Sequence, residues 1–231
     1  MGSIKKELLS GVFYTAIAKY SGILISLIIT GVLARLISPD KFGIVAVVTV
    51  ITFFFSIFSD LGIGAAIIQN KELQQKDLNQ LFSFTVWSGC ILTLLFFLCS
   101  WPISFFYKEP SMKAITQLLA INLFFASANI VPNALLYKAK AFKFLAWRSL
   151  GVQVSGGIIA ILAALGGAGL YTLIINPILS SILLFIISYQ KYPQTLEMTW
   201  GIPSIRKIFK FSAYQFMFNI INYFSRNLDK L

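Results

Sequence analysis

Long charge-poor stretches divide the chain. Residues 11–37 hold only two charged side chains, Lys19 and Arg35, and residues 42–69 hold only Asp60. Residues 78–107 and 114–137 hold none. A further uncharged stretch, 149–190, is split by Gly166-Gly167-Ala168-Gly169 into 149–165 and 170–190. A seventh run opens at Phe211 and continues to Leu231. About 20 apolar residues cross a bilayer as a helix, and the first six runs are near or above that length. The run 149–165 is the shortest, so its boundary near the glycines is the least defined. No run alternates with a period of two, as barrel strands would, and a backbone in lipid must bond to itself. The pattern predicts an all-α, polytopic membrane protein: six transmembrane helices over 1–190, a basic linker over 191–210, and the start of a seventh helix over 211–231.

Composition strengthens this reading. Of 231 residues, 58% are hydrophobic and 12% charged, with Phe occurring 22 times. A soluble chain carries roughly 25% charged residues. There is no His, which removes Ser-His-Asp, Cys-His and His-ligated metal chemistry. Cys90 and Cys99 stand nine residues apart in one run, about 13 Å along a helix, too far to pair with each other. No catalytic motif, cofactor fingerprint or metal spacing is present, so no enzyme activity, cofactor or metal is expected.

The net charge of +11 is informative through its distribution. With the N-terminus inside, the inner segments hold Lys5, Lys6, Lys71, Lys76, Lys138, Lys140, Lys143, Arg148, Lys191, Arg206, Lys207 and Lys210, twelve in all. The outer segments hold four, namely Arg35, Lys41, Lys108 and Lys113. The positive-inside rule therefore predicts a cytoplasmic N-terminus, and no nucleic-acid partner is needed to explain the charge. The segments 138–148 and 200–210 mix basic and aromatic residues. They suit anchoring in the inner headgroup layer, or attraction of an anionic lipid-borne substrate.

Polar residues at membrane depth are the remaining signal. Thr15, Lys19, Gly22, Ser26 and Thr30 fall on one face of the first span, and Thr49, Thr52, Ser56, Ser59 and Asp60 on one face of the second. Asn122, Asn129 and Asn133 line up in the fourth. Ser212, Gln215, Asn219, Asn222, Arg226 and Asp229 step by three or four in the seventh. Neutral members of such stripes often only pack helix against helix. Lys19, Asp60, Arg226 and Asp229 are costly facing lipid, so a shared hydrated interior is expected, although Arg226 and Asp229 are spaced to pair with each other. Embedded cations suit a phosphate or diphosphate, whose desolvation demands counter-charge. Amides and hydroxyls suit sugar hydroxyls.

Specific strings then carry a resemblance. Phe58-Ser-Asp60-Leu-Gly62-Ile-Gly64-Ala-Ala-Ile-Ile-Gln69, after Leu33-Ala-Arg35-Leu-Ile-Ser-Pro39-Asp-Lys-Phe-Gly43, resembles the polysaccharide transporters of the multidrug/oligosaccharidyl-lipid/polysaccharide flippase superfamily. Ile130-Val-Pro132-Asn-Ala-Leu-Leu136 and Asn222-Tyr-Phe-Ser-Arg226-Asn-Leu-Asp229 are similar to them too. The resemblance implies a flippase of the O-antigen, capsule or teichuronic type in the bacterial inner membrane, exporting a polyprenyl-diphosphate-linked oligosaccharide by alternating access. Such proteins have two pseudo-symmetric lobes, which implies that 1–190 is the N-terminal six-helix lobe and 211–231 the beginning of the second, with a C-terminal lobe the expected missing partner, alongside membrane lipids. Lys19 and Arg226 are then candidates to counter the diphosphate, and Asn122, Asn129 and Asn133 to meet sugars. Asp60 or Asp229 are candidates to couple an ion. A drug or metabolite exporter of the same superfamily, a membrane-embedded polysaccharide polymerase and a non-transporting membrane subunit stay open as alternatives.

Overall fold

A computed structural model describes residues 2–198 and 200–227, with 2–10, 12, 224, 226 and 227 described by backbone alone. The described residues are all helix and connections. In chain order the helices are α1 (Gly2–Leu36), α2 (Pro39–Asp60), α3 (Ile63–Gln69), α4 (Gln75–Tyr107), α5 (Ser111–Ala128), α6 (Ile130–Lys138), α7 (Phe142–Leu165), α8 (Thr172–Lys191) and α9 (Ile202–Asn227). Six helical segments are long and apolar enough to cross a membrane, and they correspond to the six expected runs. The protein is an all-α, multi-pass membrane protein.

The limits of the runs are less well matched, each time for a local reason. The second run breaks because Leu61 and Gly62 both adopt left-handed backbone (φ 45 and 73), which ends α2 and lets α3 restart at Ile63. The sequence there is apolar, so charge counting passes over it. The fourth run turns at Asn129, where Pro132, lacking an N–H, cannot donate to the Ala128 carbonyl. The fifth run starts seven residues earlier than expected, at Phe142, and so takes Lys143 and Arg148 into α7. The seventh starts at Ile202, with Arg206, Lys207 and Lys210 in its opening turns.

Three apolar clusters hold the helices. Ile29 and Leu33 of α1, with Ile37 just beyond its end, meet Ala160 of α7. Val48 of α2, Phe96 of α4, Ile115, Leu119 and Leu123 of α5 and Ile174 of α8 form the second. The third joins α3, α4 and α6 through Ile67, Leu81, Phe82, Val131 and Leu135, with Ile208 of α9 added. In lipid the apolar effect does not separate these side chains from solvent, so close packing and bonded polar groups carry the association.

α9 is fastened to the bundle at several points. Asp77, three residues into α4, accepts from Gln74 N–H (3.1 Å), Ser204 Oγ (2.7 Å) and Lys207 Nζ (2.8 Å). Ser212 Oγ donates to the Leu61 carbonyl at the α2–α3 break. Phe58 meets Phe216 with ring centroids 5.7 Å apart, and Phe54 meets Tyr223 at 5.8 Å. The connection before α9 lies along a polar stripe of α4, with Gln75, Asn79, Ser83 and Trp87 at four-residue intervals. Gln75 Nε2 donates to Gln194 Oε1 (2.9 Å), Thr195 N–H to Asn79 Oδ1 (3.2 Å), Glu197 N–H to Ser83 Oγ (2.7 Å) and Trp87 Nε1 to the Glu197 carbonyl (3.1 Å).

Gly62 sits where these parts converge. A Cβ there would lie 2.6 Å from the Ser212 carbonyl oxygen and 2.8 Å from Gln215 Cβ, on a backbone that already disfavours side chains. Gly31 has open space around it and helical backbone. Gly62→Ala is therefore expected to destabilise the protein by about 1–3 kcal/mol. Gly31→Ala should stabilise by about 0.5–1 kcal/mol. Thermal unfolding of the detergent-purified variants measures both; equal shifts would show that α9 does not press on this turn.

Candidate functional site

Two adjoining cavities share Asp60. The first, about 300 Å³, is lined by Asp60, Gly64, Asn129, Asn133 and Tyr137, with Ile68, Ala126, Ile130 and Ala134 as its apolar part. The second, about 380 Å³, is lined by Phe53, Ser56, Ile57, Asp60, Asn219, Asn222 and Tyr223. Asp60 ends α2, and its Oδ1 accepts from Gly64 N–H (3.3 Å), so one carboxylate oxygen steadies the restart of α3. The α2–α3 break, the turn at Asn129 and the docked α9 are thus what brings these groups together.

Arg148 organises the first cavity from behind. It is 8% exposed, six residues into the membrane-spanning α7. Its Nη2 donates to Asn133 Oδ1 (2.9 Å) and its Nη1 to Ser188 Oγ of α8. Ser188 in turn donates to the Leu184 carbonyl of its own helix. A guanidinium has no acceptor, so the Asn133 atom facing it must be the oxygen. That leaves the Asn133 amide nitrogen as a donor elsewhere. Asn129 Oδ1 is buried with no hydrogen-bond partner among the described residues. The site therefore combines carboxylate and amide acceptors with amide and phenol donors, a set suited to a polyhydroxylated ligand. Among the described residues no three His, Cys, Asp or Glu side chains come together.

The expected site residues separate. Asp60, Asn129 and Asn133 share the first cavity, and Asn219 and Asn222 of the α9 stripe join Asp60 in the second. Asn122 is half-buried on α5 and lines neither. Lys19 is exposed on α1, lines neither, and makes no hydrogen bond or ion pair with the described residues. Arg226 lies in α9, where its side chain is not described, and Asp229 is outside the described residues. Several hydroxyls of the expected polar faces bond to their own helices: Thr15 to the Gly11 carbonyl (2.8 Å), Thr52 to Val48 (2.8 Å) and Ser56 to Phe53 (2.7 Å). Those groups need no water to be satisfied.

Arg148 is the residue that sequence reasoning placed elsewhere, in an inner connection. The available signal was length: 17 residues from 149 to 165 are short for a span, and extension toward Phe142 draws Arg148 into the helix. Nearer the helix ends, Lys138 Nζ donates to the Asn70 carbonyl (2.7 Å), and burial holds its ammonium below the usual lysine range.

The family described as "Polysaccharide biosynthesis protein" matches residues 32–231. Among curated relatives, the lipopolysaccharide biosynthesis protein WzxC of Escherichia coli (strain K12) is 25% identical over 99% of this chain and 47% of its own. The teichuronic acid biosynthesis protein TuaB of Bacillus subtilis (strain 168) is 26% identical over 100% of this chain and 48% of its own. The succinoglycan biosynthesis transport protein ExoT of Rhizobium meliloti (strain 1021) is 22% identical over 65% of this chain. The chain spans about half the length of WzxC and TuaB. No solved structure gives a significant match.

The Arg148–Asn133 bond sets the first cavity's polarity and joins α6 to α7. In a double-mutant cycle with Arg148→Met and Asn133→Leu, the expected coupling is about 1–2 kcal/mol. Thermal unfolding of the four proteins measures it. Additive effects would mean that the contact contributes nothing.

Proposed function

The chain belongs to the polysaccharide biosynthesis protein family, and on that premise we propose that it forms the N-terminal lobe of a lipid-linked-oligosaccharide flippase. The observation that carries the reading is the polar interior around Asp60, Asn129 and Asn133, built within an apolar helix bundle and backed by Arg148. Such a mixture of donors and acceptors is costly facing lipid and suits a hydroxyl-rich ligand. The names of the relatives point the same way, toward lipopolysaccharide, teichuronic acid and succinoglycan.

In this scheme sugar hydroxyls meet Asn129, Asn133 and Asn122, while the polyprenyl tail stays in lipid. Lys19 and Arg226, on α1 and α9, counter the diphosphate as it leaves water. Asp60 or Asp229 couples movement to an ion. A second lobe, outside this chain, supplies the opposing wall, and the head crosses by alternating access of the two lobes. The protein sits in the bacterial inner membrane with a cytoplasmic N-terminus, because the ends of α6 and α8 and the starts of α4, α7 and α9 gather the basic residues. It transports its substrate without chemical change.

The test is restoration of surface glycan in a flippase-deficient strain by the full-length protein. Lys19→Ala should abolish export at unchanged membrane level, and Lys19→Arg should keep part of it, since charge and not packing is being removed. Normal export by the Ala variant would release Lys19 from the scheme. Transport of an organic cation with no glycan restored would favour the exporter reading. In a cysteine-free background, Cys at position 108 should react with an impermeant reagent on intact spheroplasts and Cys at 140 should not; the reverse pattern would invert the orientation.

A further inference from the structure

A third cavity, about 720 Å³, shares no lining residue with the two cavities at Asp60. It is formed where α6 has ended, α7 begins and α8 ends, beside Gly11 and Tyr14 of α1. Lys140, Lys143 and Lys191 line it together with Phe142, Phe144 and Trp147. Its described lining contains no Asp or Glu. Lys143 and Lys191 are exposed and make no ion pair with the described residues.

The arrangement has a depth order. Lys143 and Trp147 are four residues apart on α7, hence on one face about 6 Å apart along the axis. The lysine is nearer the helix start and the indole one turn deeper, and Trp147 is 65% exposed. Amphipathic aromatics of this kind occupy the layer between headgroups and acyl chains. The α7 N-cap is Ala141, which has no side chain able to accept from the first-turn N–H groups, so the helix end adds positive potential beside the lysines. A soluble phosphate would want polar donors on all sides. Here cations stand at the rim and aromatic rings form the floor.

We propose that this cavity is a binding site for an anionic phospholipid. The phosphate headgroup pairs with Lys143 and Lys191 at the rim, and the glycerol and upper acyl chain rest on Phe144 and Trp147. The site is separate from the polar interior assigned to the glycan, and its occupant is a resident lipid and not the transported molecule.

The full-length protein, purified in detergent and mixed with equal phosphatidylglycerol and phosphatidylcholine, should retain phosphatidylglycerol preferentially in native mass spectrometry. Lys143→Gln and Lys191→Gln should each lower that retention about fivefold, and together about 25-fold, since each near-surface lysine contributes on that scale. Lys143→Arg with Lys191→Arg should keep it, which controls for misfolding. Removing equal charge elsewhere, with Lys71→Gln and Lys76→Gln, should leave retention unchanged. Wild-type retention by the double Gln variant would overturn the site, as would an equal loss in the Lys71/Lys76 control, which would indicate bulk attraction only. Inorganic phosphate binding without phosphatidylglycerol preference would assign the lysines to a soluble anion instead. None of these readouts depends on glycan export, so this site and the proposed transport role fail separately.

Discussion

Each N–H of a guanidinium inside a membrane-spanning helix is costly to leave unbonded, because lipid offers no water to take the place of a partner. Arg148 answers this with neutral partners at both terminal nitrogens, Ser188 on α8 and Asn133 on α6, while its Nε–H stays buried without a partner among the described residues. Three consecutive helices are tied by one side chain. The same bond decides how Asn133 presents its amide, and thereby what the neighbouring cavity offers. Replacing Arg148 by an apolar residue would fill similar space, yet it would leave the Asn133 oxygen buried and unpaired. The bundle and the cavity therefore share one electrostatic constraint.

A second constraint comes from the connection between α8 and α9. An extended segment at the edge of a membrane bundle has its own backbone groups to satisfy. Here α4 supplies side chains for them at four-residue spacing, and Asp77 holds Ser204 and Lys207. The opening turns of α9 are consequently bonded to the lobe, and Gly62 admits the Ser212 backbone at the α2–α3 break. The cavity that Asp60 shares with Asn219 and Asn222 exists because α9 is held this way. If two lobes rock against each other, the start of α9 moves with the first.

Much of this was legible in the sequence as periodicity and charge spacing. Six spans follow from charge-poor runs, and the polar faces held Asp60, Asn129 and Asn133, which line the first cavity, together with Lys19 and Asn122, which line neither cavity. What remained hidden has a common cause: an apolar run reports where lipid can be and is silent on backbone direction. The left-handed pair Leu61–Gly62 and the Pro132 turn carry no charge, so they vanish inside their runs. Arg148 erred in the opposite sense. A charge reads as a boundary, although two neutral partners on neighbouring helices allow it to be buried. Those partners, Asn133 and Ser188, are 15 and 40 residues away. Only the fold brings them together.

The polar stripes also divide by chemistry. A Ser or Thr on a membrane helix can donate back to a carbonyl one turn earlier, and Thr15, Thr52 and Ser56 do. Such a residue looks functional on a helical wheel while being satisfied within its own helix. A buried amide is harder to satisfy, since it has two donors and an acceptor, and a carboxylate harder still. Asn129 keeps an unpaired acceptor, Asn133 points its oxygen at Arg148, and Asp60 uses one oxygen on Gly64. What these three side chains still have to offer converges on one cavity. Residues whose polarity exceeds what their own helix can absorb are the ones that shape an interior, and Asp60, at the junction of both cavities, has the largest excess.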